Sequence, residues 1–93
     1  MGPLHFTEGE TEKIKCDFTA RAGAVYWYKD DKPIVNGTQG LYHTEDQLSD
    51  DTFRSVLHFS TVRQEHEGFY NSCTADRLCS KYEIQVLVHC GKY

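Results

Sequence analysis

Basic charge in excess, long aliphatic runs, proline and helical periodicity are all scarce in this chain of 93 residues. Ten Lys and Arg stand against fourteen Asp and Glu, a formal net charge of −4. Contact with nucleic-acid phosphates needs the opposite balance, so nucleic acid is not an expected partner. The aliphatic run Val86-Leu87-Val88 is far too short to cross a bilayer or to form a signal-peptide core, so no direct membrane insertion is expected. In a secreted protein the leader would already have been removed, and Met1-Gly2-Pro3 reads as an added start. No dozen residues carry an apolar stripe at helical spacing. Internal repeats and low-complexity segments are missing as well.

Signatures of chemistry are equally sparse. The histidines His5, His43, His58, His66 and His89 are scattered, without the C-x-x-C, H-E-x-x-H or H-x-x-x-H spacing of a metal site. They are expected as solvated surface groups. The acidic stretch from Glu45-Asp46 to Asp50-Asp51 lacks the spacing of a calcium-binding loop and reads as solvated. No cysteine has a basic partner close in sequence, and there is no phosphate-cradling glycine loop and no G-x-S-x-G elbow. The expected protein is not an enzyme, and carries no cofactor and no metal.

What the chain does have is strand-like alternation from end to end. Leu4 and Phe6 open it, and a Glu8-Gly9-Glu10 bend follows. Ile14, Cys16 and Phe18 then alternate with Lys13, Lys15 and Asp17, a half-buried strand. After a turn at Arg21-Ala22-Gly23, Val25 and Trp27 point one way while Tyr26 and Tyr28 point the other. Asp31-Lys32-Pro33 is a turn into a brief edge segment at Ile34-Val35, where proline is tolerated. Leu41 and His43 begin a weak strand; Phe53, Val56, Leu57 and Phe59 form a stronger one. Gly68, Tyr70, Cys73 and Ala75 make the next, and Asp76-Arg77-Leu78 the tip of a hairpin. Tyr82, Ile84, Val86 and Val88 alternate along the last. Short strands at this spacing, with Gly, Pro and Asp in the turns, predict an all-β sandwich of two antiparallel sheets. Its length bounds it to one domain, residues 1–93 with a core over about 4–89. A fragment of a longer chain is expected.

Four cysteines in so short a chain point to an oxidising compartment. Asn36-Gly37-Thr38 is an N-glycosylation acceptor on a turn-like stretch and points the same way. Asn71-Ser72-Cys73 lies within a strand and is set aside.

These residues resemble an immunoglobulin-superfamily domain, most nearly of the I-set, over almost the whole chain. Ile14-Lys15-Cys16, then Val25-Tyr26-Trp27-Tyr28-Lys29-Asp30-Asp31-Lys32-Pro33-Ile34, then Leu57-His58-Phe59 with Val62, Gly68 and Tyr70, and finally Cys73-Thr74-Ala75 follow the family's order. The resemblance implies a Greek-key sandwich with Trp27 in the core beside a Cys16–Cys73 disulfide. Two departures bear on it. In the family's D-x-G-x-Y-x-C pattern, His66 takes the Asp position, which weakens or replaces a charge contact. Tyr70 and Cys73 are also three residues apart, so an unbroken strand would turn them to opposite faces. A β-bulge at Asn71 or Ser72 would bring both inward and permit the bridge. Without a bulge, Cys73 faces outward opposite Cys79, within disulfide reach, and Cys16 is a free thiol in the core. Cys79 and Cys90 sit at opposite ends of one strand, roughly 30 Å or more apart, too far to pair. On the bridge reading both stay unpaired within the domain.

The remaining information is on the surface. Tyr26 and Tyr28 face away from Trp27, and Arg77 and Lys81 are near neighbours in the hairpin. Such residues favour protein interfaces. The resemblance implies an extracellular, cell-surface or secreted binding module for adhesion or receptor recognition. Its partners would be proteins, a second copy of the chain included. The alternatives are a structural domain of an intracellular, muscle-type I-set array, and a secreted growth-factor- or hormone-binding domain.

Overall fold

The computed structural model describes residues 2–88; His89 and Cys90, with the question of Cys90's partner, lie outside them. Eight strands run in chain order: β1 (Leu4–Thr7), β2 (Glu12–Thr19), β3 (Val25–Lys29), β4 (Lys32–Pro33), β5 (Leu41–Gln47), β6 (Thr52–Phe59), β7 (Gly68–Thr74) and β8 (Cys79–Leu87). They form one five-stranded sheet, β1-β8-β7-β3-β4, and one three-stranded sheet, β2-β6-β5. All pairings are antiparallel except β1 with β8. The predicted all-β sandwich is therefore the fold. The edge segment expected at Ile34-Val35 forms instead two residues earlier, at Lys32–Pro33. Asp30 and Asp31 both adopt positive φ, 49° and 68°, and close a two-residue hairpin between Lys29 and Lys32. That is the backbone a type I′ turn requires.

Alternation along the strands builds the core. Ile14 and Phe18 of β2, Val25 and Trp27 of β3, Leu57 and Phe59 of β6, and Tyr70 and Ile84 of β7 and β8 all bury between the sheets. Phe59 takes Phe6, His66 and Tyr70 against its ring in edge-on geometry, with centroids 5.2–5.6 Å away. Such pairs add stabilisation beyond the area they bury. Three polar side chains, Ser55, His66 and Ser72, are buried with them. Among the described residues no buried side-chain polar atom lacks a partner.

Those polar groups tie the sheets and the corners together. The Trp27 indole N–H crosses the sandwich from β3 and donates to Ser55 Oγ of β6 at 2.8 Å. Tyr70 Oη donates to the His66 carbonyl at 2.6 Å, locking the connection between β6 and β7. Burial, with the Asp30 carboxylate adding to it, holds the Tyr70 hydroxyl well above the ordinary phenol range. His66 corrects the expectation of a solvated ring: it is fully buried. Its Nδ1 accepts from the Arg63 N–H at 2.9 Å, and its Nε2 meets the Gln39 carbonyl at 2.7 Å. A carbonyl only accepts, so Nε2 carries the hydrogen. In place of an aspartate's charge contact, the imidazole joins the corner to the loop before β5 by neutral hydrogen bonds.

The Cys16–Cys73 bridge and the bulge that would have allowed it are both absent. Strand β7 pairs without interruption, from Val25↔Thr74 to Lys29↔Tyr70 on one side and from Gly68↔Ile84 to Cys73↔Cys79 on the other. No residue is looped out at Asn71 or Ser72. Period-two alternation then sends Tyr70 and Ser72 inward and Cys73 outward. Cys73 is joined to Cys79, whose Cα lies 4.1 Å away, and Cys16 is a free, half-buried thiol packed against the core. With no disulfide across the core, the Trp27–Ser55 hydrogen bond becomes a polar tie between the sheets. Ser55→Ala strands a buried indole N–H and is expected to cost about 1–3 kcal/mol, read as a lower midpoint in urea unfolding.

Candidate interaction face

The outward face of the five-stranded sheet gathers the residues singled out for partner binding. Pairing sets Tyr26 opposite Cys73 and Cys73 opposite Cys79; Tyr28 lies opposite Asn71, and Asn71 opposite Lys81. Because Trp27 and Tyr70 point into the core, each of these neighbours points out. Tyr26, Tyr28, Asp31, Asn71, Arg77 and the disulfide line an open groove of about 580 Å3. The structure thus brings Tyr26, Tyr28 and Arg77 together. Lys81 is on the same face, one strand over, and outside the lining of the groove.

Sequence reasoning passed over Phe69. It is 60% exposed and opposite Glu83 on this face. Its signal was parity: next to an inward Tyr70, an aromatic side chain has nowhere to go but out.

Two tight turns frame the groove. At the β7–β8 tip, Arg77 adopts φ 71° and its N–H donates to the Thr74 carbonyl at 2.9 Å. Thr74 Oγ1 also contacts the Asp76 carboxylate, and the Thr74 N–H donates to the Leu78 carbonyl at 2.9 Å. A turn followed by a left-handed residue is a standard short hairpin connection, but arginine carries a steric penalty there that glycine would not. The disulfide closes this loop from behind. So short a loop removes only about 2 kcal/mol of chain entropy from the unfolded state.

At the β3–β4 turn, Asp30 reaches across to β7. Its Oδ1 accepts from the Phe69 N–H at 3.1 Å, and its Oδ2 from Lys29 Nζ at 3.0 Å. The Phe69 N–H, and secondarily the Lys29 ammonium, hold the Asp30 carboxyl below the ordinary carboxylate range.

The other candidate residues lie elsewhere. Asn36, the glycosylation acceptor, is exposed on the loop between β4 and β5, where its Oδ1 accepts from the His43 N–H at 2.9 Å. That bond orients the amide and leaves Nδ2, the atom a glycan would occupy, uninvolved in it. His58 stacks on Tyr42 with 4.6 Å between ring centroids, on the opposite sheet, and bonds Thr44 Oγ1 at 2.9 Å. His5 meets Gln85 Oε1 at 3.1 Å. Among the described residues no three His, Cys, Asp or Glu side chains are placed to hold a metal ion, and no helix is long and apolar enough to cross a membrane.

An all-β sandwich with a buried tryptophan and a locked tyrosine corner defines a class of domain that comparison with known families identifies. A family model described as "Immunoglobulin domain" matches residues 2–85. The chain belongs to that family. Among solved structures it is similar to the Ig7 domain of Dscam1, isoform 5, at 24% identity and TM-score 0.67, covering 92% of this chain and 93% of that one. It is similar to Titin-A168169 at 23% identity and TM-score 0.72, covering 94% of this chain and 44% of that one. The ZIG-8 IG1 homodimer matches at 11% identity and TM-score 0.63, over 92% of this chain and 78% of that one. Identities this low establish the fold alone.

The construction of the face can be probed at two positions. Ser72 holds the inward position where the family pattern has its second cysteine, and both Ser72 and Cys16 line one pocket that opens to solvent beside the hairpin tip. Ser72→Cys is expected to form a cross-sheet bridge between Cys16 and the introduced thiol, and to add about 4 kcal/mol in urea unfolding under oxidising conditions. Non-reducing peptide mapping checks the bond. Asp30 carries a lowered folded-state pKa, so its contribution is complete above the unfolded carboxylate range, about pH 4, and is lost as pH falls through the folded value. Asp30→Asn keeps the turn geometry and should narrow the drop in thermal midpoint between pH 7 and pH 3.

Proposed function

We propose that this domain is a non-catalytic, extracellular protein-recognition module serving adhesion or receptor recognition, carried as one unit of a longer chain. The outward face of β3, β7 and β8 is its docking surface. The observation that carries this reading is the convergence of Tyr26, Tyr28 and Arg77 on one open groove. Both side-chain types dominate interface energetics: tyrosine offers large contact area with few torsions to freeze, and arginine a planar cation with several donors. Two turns and a disulfide fix the groove's rim, so little order has to be imposed when a partner docks. Similar domains include some whose printed descriptions are of immunoglobulin-domain pairs, such as Dpr1 IG1 bound to DIP-eta IG1 and the ZIG-8 IG1 homodimer. They support a protein partner, and a second copy of this chain is one candidate. Asn36, on a loop away from the groove, would carry an N-linked glycan without obstructing it.

A second reading is favoured by one observation, the free Cys16 packed against the core. A domain whose sheets are joined without sulfur suits a structural array inside the cell, and Titin-A168169 shares the fold. Counting thiols in denatured, unreduced protein separates the readings. Two free thiols support the extracellular module; four support the intracellular one.

The recognition face is tested by sedimentation for self-association and by screening against a panel of receptor ectodomains. Tyr26→Ala, Tyr28→Ala and Arg77→Ala are each expected to weaken the binding found by about tenfold or more. Tyr42→Ala, exposed on the other sheet, should leave it unchanged, and the opposite pattern would remove the docking surface from this face. Protein from secreting cells should lose the mass of a glycan at Asn36 on enzymatic deglycosylation.

A further inference from the structure

The Cys73–Cys79 link lies where the fold has no need of it. Trp27, Ser55 and the Tyr70 corner join the sheets and lock the β6–β7 connection through hydrogen bonds, while the disulfide closes only the β7–β8 tip. Cys79 is exposed, Cys73 is half-buried, and both line the groove beside Tyr26. A sulfur at an open groove meets the access requirement for thiolate attack that a core disulfide does not. The loop it closes is also under tension, since Arg77 is held at φ 71° in the left-handed region. Beyond the link, the tip is anchored at its base by the Ala75 N–H, which donates to the Ala22 and Ala24 carbonyls at 3.1 and 3.0 Å, and across the turn by Thr74, through its backbone bonds to Arg77 and Leu78 and its hydroxyl contact with the Leu78 N–H at 3.2 Å.

We infer that Cys73–Cys79 is a thiol–disulfide exchange site through which a dithiol reductant resets the β7–β8 tip and, with it, the shape of the groove. One thiolate of the dithiol attacks Cys79 Sγ, the more accessible sulfur. The Sγ–Sγ bond breaks, and its electron pair leaves on Cys73 Sγ, which takes up a proton. The second thiol of the reductant, deprotonated, then attacks its own sulfur in the mixed disulfide and releases Cys79, which is protonated in turn. The protein disulfide is reduced to two thiols and the dithiol is oxidised to its internal disulfide; nothing else is consumed. Once open, the turn from Asp76 to Leu78 relaxes and Arg77 leaves its strained position at the rim. The exchange needs only the domain and a dithiol, so it stands or falls separately from the partner proposed above.

The test incubates the folded Cys90→Ser domain with dithiothreitol in native buffer, quenches with N-ethylmaleimide, and maps modified peptides alongside hydrogen exchange. Cys73 and Cys79 are expected to be alkylated together while the Trp27 indole N–H stays protected. The Arg77 and Leu78 amides should exchange about tenfold faster or more than in the oxidised domain, with Ala75 and the core strands unchanged. A Cys73→Ser/Cys79→Ser variant should reproduce that fast tip. If the link opens only together with loss of Trp27 protection, or the tip keeps its oxidised exchange rate in the reduced domain or the double variant, the inference is overturned.

Discussion

Strand parity in β7 governs everything distinctive about this domain. A strand offers its side chains alternately to two faces, and β7 keeps that alternation through seven residues because both of its neighbours hold it in register. Tyr70 faces in, so Ser72 faces in and Cys73 faces out. One residue of displacement in the chain thereby moves the disulfide from between the sheets to the surface of one of them. The core is left to aromatic packing around Phe59 and to hydrogen bonds from Trp27 and Tyr70. The groove acquires a covalent link in its lining.

The core thus rests on groups usually thought secondary. Ser55 is fully buried and receives the indole proton, and His66 is fully buried and stitches two loops together. A buried polar group without its partner costs more than a made hydrogen bond contributes, so each of these contacts specifies the fold as much as it stabilises it. The arrangement explains how a small domain, with little surface to bury, holds two sheets together without a disulfide between them.

Most of the architecture is legible in the sequence because alternation reports directly on burial. Parity alone places Ile14 and Phe18, Val25 and Trp27, Leu57 and Phe59 correctly, and the outward direction of Tyr26 and Tyr28 follows from Trp27. The disulfide is misplaced when a family pattern is allowed to outweigh the same parity argument at Tyr70 and Cys73. An inserted bulge would have reconciled the two, but nothing in Asn71-Ser72 favours the extra turn of backbone over two complete hydrogen-bond ladders. His66 is misplaced for a different reason. Its partners, the Arg63 amide and the Gln39 carbonyl, come from the backbone, and backbone groups leave no trace in residue identity. The site is legible as a face but not as a groove, since the groove's depth depends on turn geometry at Asp31 and Arg77.

The position of the sulfur link also bears on how the molecule can be made. Cys73 and Cys79 are six residues apart, so the two thiols can meet by closing one short loop, before or after the strands pair. The sandwich does not wait on a bond between distant segments, and Cys16 has no sulfur to find among the described residues. Oxidation there is a local event, confined to a single hairpin.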